Sequence, residues 1–222
     1  MGGPSILEVL ITYYPLFLRG LWSTLKLAFI SVLLGTLLGA LISMLTLSKN
    51  KIINTIGNIY ITIFRGTPIL VQLYIFYYFM PMVIPILNSL PKVVTIVMAL
   101  VINSSSYVSE IIRGGILAVD KGQTEAARSL GMTSKNCMMK IVLPQAIKSI
   151  IPSLGNEYIM MIKETSLAST LAYNELMFVK TILSNKFLIW QPLFIISGIY
   201  LMVTLVLTYG VSLLEKRLSV SD

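Results

Sequence analysis

The chain has 222 residues, 56% of them hydrophobic and only 12% charged, at a mean hydropathy of +0.85. Soluble domains carry about 25% charged residues, so this balance excludes an ordinary globular core and predicts an all-α bundle of membrane helices. One cysteine and no histidine exclude an internal disulfide framework and leave no basis for a zinc site or a His proton relay. The net charge of +8 is spread over short segments between apolar runs, so it speaks for orientation in a membrane and against nucleic acid.

In chain order, the N-terminus lacks the basic region and small-residue cleavage site of a removable leader, so the membrane helices themselves are expected to direct insertion. A hydrocarbon core about 30 Å thick needs about 20 apolar residues per helix, and by that measure five spans are expected. The first runs from about Leu16 to Leu47, with Ser31, Gly35, Gly39 and Ser43 recurring every fourth residue as a face that admits another helix closely. Lys26 can snorkel from it.

After the polar turn Ser48 to Lys51, Arg65-Gly66-Thr67-Pro68 divides an apolar stretch. Residues 52–64 are expected to be an interfacial lead-in, with the second span starting at Pro68, where proline suits a first turn. The third span, from Pro91 to about Gly114, carries Asn103, Ser106, Tyr107, Glu110 and Gly114 on one face, which must look into protein or a wet cavity. The fourth, Ile147 to about Leu171, is interrupted by Pro152, Gly155, Asn156, Glu157, Lys163 and Glu164. Its Ser153, Asn156, Glu157, Met160 and Glu164 share a face; such broken segments are where transporters line a pathway. A polar excursion from Ala172 precedes the last span, about Trp190 to Leu214.

Between the third and fourth spans lies a polar, basic loop, about 120–148, with Glu125 to Pro144 at its centre. Two short helices are expected there. Ala126, Ala127 and Leu130 share a face of the first, and Gly131 sits where a left-handed C-cap would end it. Ser134 is expected to cap the second, whose Cys137, Met138, Ile141 and Val142 form an apolar stripe, and Pro144 to block its extension and start the next helix. Isolated helices below about 12 to 15 residues are marginal in water, so both need a partner surface.

If the N-terminus is outside, nine basic residues (Lys49, Lys51, Lys121, Arg128, Lys135, Lys140, Lys148, Lys216, Arg217) fall inside, against four (Arg19, Lys92, Lys180, Lys186) outside. That excess predicts an outer N-terminus, an inner C-terminus and the polar loop in the cytoplasm. The whole chain, 1–222, reads as one membrane domain with its core at about 16–217.

No phosphate-cradling Gly-rich loop with Lys occurs, and there is no G-x-S-x-G and no catalytic pairing, so neither ATP hydrolysis nor other catalysis is expected of this chain. The candidate site is the set of polar groups at membrane depth. Glu157 needs a partner, a proton or a cationic ligand. One reading pairs it with Lys163 or Asn103. The other has it receive a substrate ammonium while Gln72, Asn103 and Ser106 bond the carboxylate. For Arg65 and Arg113, snorkelling or a pair of Arg113 with Glu110 is the simpler reading.

Glu125-Ala126-Ala127, Gly131 six residues after the Glu, and Ile141-Val142-Leu143-Pro144 resemble the cytoplasmic coupling loop of permease subunits in ABC importers. Arg65-Gly-Thr-Pro-Ile-Leu-Val-Gln72, Asn103-Ser-Ser-Ser-Tyr107, Glu110-Ile-Ile-Arg113-Gly114 and Gly155-Asn156-Glu157 extend the similarity to the polar amino acid subfamily. The resemblance implies a five-helix permease core in a bacterial inner membrane, with Glu125, Ala126, Ala127, Gly131 and Pro144 in the loop that docks on a separate cytoplasmic ATPase. It also implies a second permease copy, identical or related, and an external solute-binding protein. No cofactor is implied in this chain, since ATP and Mg belong to the ATPase. In relatives that hold substrate within the membrane, positions matching Gln72, Asn103, Ser106 and Glu157 line the pocket. A rival reading, an ion-coupled secondary transporter of an amine-bearing solute, draws on Glu157 and Glu164 but finds no internal repeat to support it. A membrane scaffold is a second rival.

Overall fold

The computed structural model describes residues 4–187 and 190–219, apart from the side chains of 185–187 and 219. Lys186, counted above among outer basic residues, therefore has its side chain outside the described residues. Every regular element among the described residues is helical: α1 (Ile6–Thr46), α2 (Lys51–Gly66), α3 (Ile69–Tyr74), α4 (Met80–Val83), α5 (Lys92–Leu117), α6 (Lys121–Ser129), α7 (Ser134–Cys137), α8 (Leu143–Glu164), α9 (Leu176–Phe187) and α10 (Gln191–Ser219). A π turn, Ile75–Phe79, fuses α3 to α4, and another, Met138–Val142, fuses α7 to α8. Among the described residues, four helical stretches are long and apolar enough to cross a membrane, and α2 with the α3–α4 piece, bent by 100°, makes a fifth when the pair is taken as one broken span.

The first span starts earlier than hydropathy suggests. Ser5 accepts from the Glu8 amide while Glu8 accepts from the Ser5 amide, a reciprocal box that nucleates α1 at Ile6. Its 41 residues extend about 60 Å, twice the hydrocarbon thickness.

Lipid tails are as apolar as leucine, so helices in a bilayer associate through close van der Waals contact rather than through hydrophobic burial. The every-fourth-residue face of α1 provides that contact: Ser31, Gly35, Gly39 and Ser43 are all buried, and α1 packs most extensively on α5. A Cβ on Gly35 would lie 2.9 Å from the Ser104 Cβ, and one on Gly39 2.9 Å from both the Ser105 carbonyl oxygen and Val108. Around this seam Leu27, Ala28, Val32, Leu73, Leu100, Met161 and Ile162 form the main core. Gly39→Val is expected to push α1 off α5 and destabilise the protein by about 2 kcal/mol. Thermal unfolding in detergent measures this, and Gly198→Val, where a Cβ meets nothing within 4 Å, is the control.

Residues 52–64 are not an interfacial lead-in. Helix α2 leaves the α1 terminus, where Gly57 abuts Leu45 and Thr46, and climbs to the middle of α5. There Tyr60 Oη lies 2.6 Å from Ser105 Oγ and donates to the Ile102 carbonyl at 3.2 Å. The chain then breaks at Gly66–Pro68, and Pro68 caps α3 from outside, so α3 starts at Ile69.

Helix α8 runs to Glu164, continues as a 3-10 stretch, Thr165–Leu171, and ends on Ala172 in the left-handed region. Gln191 Nε2 donates to the Pro4 carbonyl at 2.7 Å, so the start of α10 and the start of α1 share one end of the bundle. The end of α10 (Glu215, Leu218) shares a cavity wall with residues 115–120 and 145–156 at the other. An odd number of crossings satisfies both contacts.

Candidate functional site

At the end of the bundle where α5 finishes and α8 begins, α6 and α7 form a knob. Gly131 adopts φ +83°, its amide bonds the Arg128 carbonyl at 3.0 Å, and the Met132 amide reaches the Ala127 carbonyl at 3.1 Å. These two bonds are a Schellman closure, which requires a left-handed residue at the position Gly131 holds. Arg128 also donates to the Met132 carbonyl at 2.6 Å, and Asp120 caps α6 through the Gly122 amide. The second helix is capped by Thr133, not Ser134: the Thr133 hydroxyl accepts from the Asn136 amide at 3.2 Å.

The faces differ from expectation too. Ala127, Cys137 and Val142 are buried against one another beside Ile116, Val119 and Ile141, while Glu125, Ala126 and Leu130 face outward. Leu130 is 86% exposed, an apolar side chain displayed at the knob tip. Alternate positions of a short helix cannot all face one partner, and the α5 terminus claims Ala127. Pro144 does not stop the helix. Its ring would crowd the carbonyl four residues back, but the π turn before it widens the coil, the Leu143 amide reaches back to Met138, and α7 flows into α8.

Deeper in the bundle lie the polar groups singled out from sequence. Two of them meet: Asn103 Nδ2 donates to Gln72 Oε1 at 3.1 Å. Gln72 Nε2 in turn donates to the Phe64 carbonyl (2.8 Å), the Thr67 carbonyl (3.1 Å) and the Thr67 hydroxyl (2.9 Å), with Asn103 assisting at Phe64. A helix broken in a membrane leaves carbonyls that its own coil does not satisfy, and these amides take those of Phe64 and Thr67. Asn103 Oδ1 is buried and has no hydrogen-bond partner.

Glu157 pairs with neither Lys163 nor Asn103; it accepts from the Ser104 hydroxyl at 2.7 Å. A carboxylate has about four acceptor positions, of which Ser104 fills one. Ser106 is fully buried and donates to the Asn103 carbonyl one turn back at 2.6 Å, so it is joined to the group through backbone only. The Arg113–Glu110 pair forms as expected, two-pronged at 2.7 and 3.1 Å. Arg65 joins it from α2, 3.5 Å from Glu110 and 5.1 Å above the Tyr107 ring.

Sequence reading missed Glu175. It is fully buried where α1, α9 and α10 meet. Its carboxylate accepts from the amides of Met177 and Phe178 (each 2.8 Å), from Tyr200 Oη (3.0 Å) and from Thr24 Oγ1 (3.3 Å). Thr24 also accepts from the Leu176 amide at 3.0 Å. An acid placed just before Leu-Met-Phe is a helix-cap signal that could have found it.

A cavity of about 470 Å³ opens at the root of the knob, between Gly115–Asp120, the first turns of α8 and Glu215. None of Gln72, Asn103, Ser106 and Glu157 lines it.

Residues 31–220 match the family described as binding-protein-dependent transport system inner membrane component. The chain is 36% identical to the arginine transport system permease protein ArtQ of Bacillus subtilis over 211 residues, 94% of each chain. It is also 36% identical to the nopaline transport system permease protein NocM of Agrobacterium fabrum over 217 residues, 94% of this chain and 90% of that one. Among solved structures, it is similar to an amino acid ABC transporter crystallised with histidines, at a TM-score of 0.89 and 41% identity, covering 97% of this chain and all of the other.

Proposed function

The chain belongs to the binding-protein-dependent transport system inner membrane components, and from that premise we infer that it is the permease subunit of an ABC importer for a polar amino acid. It is a multi-pass inner-membrane protein. ATP is hydrolysed by a separate cytoplasmic subunit, a second permease copy completes the membrane part, and an external binding protein delivers solute. The N-terminus lies outside and the knob inside, following the excess of basic residues.

The observation that carries the reading is the knob: a small, self-closed lever at the bundle end of a chain with no phosphate-cradling loop of its own. ATP-driven closure of the partner subunits would displace α6 and α7 as one body. Because α7 is continuous with α8, that displacement tilts the helix bearing Glu157 and biases the bundle between inward-open and outward-open states.

Within the bundle, Glu157 and the unpartnered oxygen of Asn103 are the acceptors for a substrate ammonium. Gln72 and Ser106, whose donors already hold backbone carbonyls, support the wall. Glu157→Gln is expected to raise the half-saturating concentration of the amino acid about tenfold, since a charge-assisted bond is worth roughly twice a neutral one. Titration of uptake in reconstituted vesicles checks it.

The decisive experiment is ATP hydrolysis by the reconstituted complex across a panel of amino acids, with and without Leu130→Asp. Placing a charge on the displayed tip is expected to cut stimulated hydrolysis about tenfold while the permease stays folded. Uptake that follows a proton or sodium gradient with no ATPase present would overturn the reading.

A further inference from the structure

The cavity of about 470 Å³ at the root of the knob has no part in the transport reading. Two close helix contacts frame it. A Cβ on Gly115 would lie 2.5 Å from Ile150 Cγ1, which sets the end of α5 against α8, and one on Gly155 would lie 2.7 Å from Val211 Cγ2, which sets α10 against α8 further along. The cavity fills the angle left among the three helices, and its wall along α8, from Gln145 to Asn156, is about 16 Å long. Pockets that hold small molecules have volumes of about 300 to 1,000 Å³, so this one is of ligand size. Among the described residues, α2 contributes nothing to its lining, which keeps it apart from the polar groups around Gln72 and Asn103.

Its wall carries both signs of charge. Asp120, in the turn before α6, and Glu215, on α10, supply carboxylates, and Lys148, on α8, supplies an ammonium. Neither acid is in an ion pair, since the pairs among the described residues are both at Glu110. Asp120 Oδ1 accepts from the Gly122 amide at 2.6 Å, which leaves most of that carboxylate's acceptor positions open. Two hydroxyls of the wall are committed as donors: Ser149 Oγ to the Ala146 carbonyl and Ser153 Oγ to the Ser149 carbonyl, each at 2.9 Å. Both therefore offer a ligand only oxygen lone pairs. A bare anion would meet two carboxylates here, and a bare cation would meet Lys148. A dipolar molecule bearing an ammonium and a carboxylate answers all three. The larger apolar side chains of the lining, Val119 and Leu218, are too few to bed the acyl chains of an amino phospholipid.

We propose that this cavity is a second binding site, on the knob side of the membrane, for a free α-amino acid, and that its occupation slows transport. The ammonium of the ligand lies between Asp120 and Glu215, and its carboxylate against Lys148. These three residues belong to different moving parts. Asp120 begins the knob, Lys148 sits on the helix that the knob drives, and Glu215 sits on α10, outside that lever. A ligand that holds all three ties the lever to α10, so an ATP-driven tilt of α8 must first break its bonds or expel it. Amino acid accumulated on the knob side thereby restrains further import. The slowing rests on the transport reading, whereas the site rests on the cavity's own charges and shape.

The test measures equilibrium binding of tritiated L-arginine and L-glutamine to the solubilised membrane complex, without the binding protein and on a Glu157→Gln background that weakens the site in the bundle. The binding that remains is expected to fall at least about tenfold in Glu215→Gln and in Lys148→Gln, with the unfolding temperature unchanged. Agmatine, which lacks the carboxylate, and N-acetyl-L-arginine, which lacks the ammonium, are expected to compete at least about tenfold more weakly than L-arginine. In vesicles with the knob outward and the binding protein and amino acid sealed inside, either amino acid added outside is expected to cut ATP hydrolysis about fivefold. Glu215→Gln or Lys148→Gln, with Glu157 intact, should abolish that inhibition and leave hydrolysis in its absence as it was. Equal binding with and without the two cavity substitutions would overturn the site, as would loss of all binding in Glu157→Gln alone. Selective binding with no slowing of hydrolysis would overturn the brake. Selective binding in a complex whose hydrolysis never responds to the enclosed binding protein would count against the transport reading and not against the site.

Discussion

Glu175→Ala is expected to lower stability by about 4 kcal/mol, the combined cost of a lost helix cap and of several buried donors left unpaired. Four donors converge on this carboxylate: the Met177 and Phe178 amides, Tyr200 Oη and Thr24 Oγ1. Truncation uncaps α9 and leaves buried donors unpaired, each at a cost of roughly 1 to 3 kcal/mol before relaxation. It also unties three helices at once, since Thr24 belongs to α1 and Tyr200 to α10. Glu175→Gln keeps the shape and one carbonyl acceptor but turns an NH₂ toward donors, so about half the loss is expected. Thermal unfolding in detergent separates the two. A loss in Glu175→Ala below about 1 kcal/mol would mean that water reaches the junction and replaces the carboxylate.

Replacing Gly131 is expected to give a graded loss of uptake: slight for Gly131→Asn, intermediate for Gly131→Ala, and up to about a hundredfold for Gly131→Val. A Cβ at Gly131 meets nothing within 4 Å, so the penalty is purely the backbone's, set by φ +83°. Asparagine tolerates that region, and a β-branched residue does not. Valine would forfeit the bonds from Gly131 to Arg128 and from Met132 to Ala127, together with conformational strain of about 1 to 2 kcal/mol. The knob has only Ala127, Cys137 and Val142 as its buried centre, so it has little else to keep it closed. Uptake and binding of the ATP-hydrolysing partner should fall in parallel, with the unfolding temperature of the bundle unchanged. Equal uptake in all three variants would show that the knob's closure does not transmit force.

Local patterns were legible in the sequence where the interacting residues are neighbours along the chain. The Gly131 closure is complete within six residues, and the Glu110–Arg113 pair spans one helical turn. The Ser31–Gly35–Gly39–Ser43 face announces a close helix approach without naming the partner. Even local reading slipped where two adjacent residues compete: Thr133 takes the cap that Ser134 could have made, and Ser5 with Glu8 starts α1 well before the apolar run. The reading of 52–64 failed for a different reason. A helix with three kinds of face has the composition of an interfacial segment, and only its neighbours reveal that it enters the membrane.

The sequence by itself determined that this is a helical membrane protein with a polar two-helix knob between its third and fourth spans, because hydropathy, glycine backbone freedom and motif spacing are properties of contiguous residues. Only the tertiary structure decided that Gln72 and Asn103 satisfy the carbonyls of a broken helix, that Glu157 takes Ser104, and that Glu175 ties α1 to α9 and α10. Each of those contacts joins residues 25 or more positions apart or answers a chain break, and a buried polar group takes whichever partner the packing brings within about 3 Å, which no spacing rule along the chain encodes.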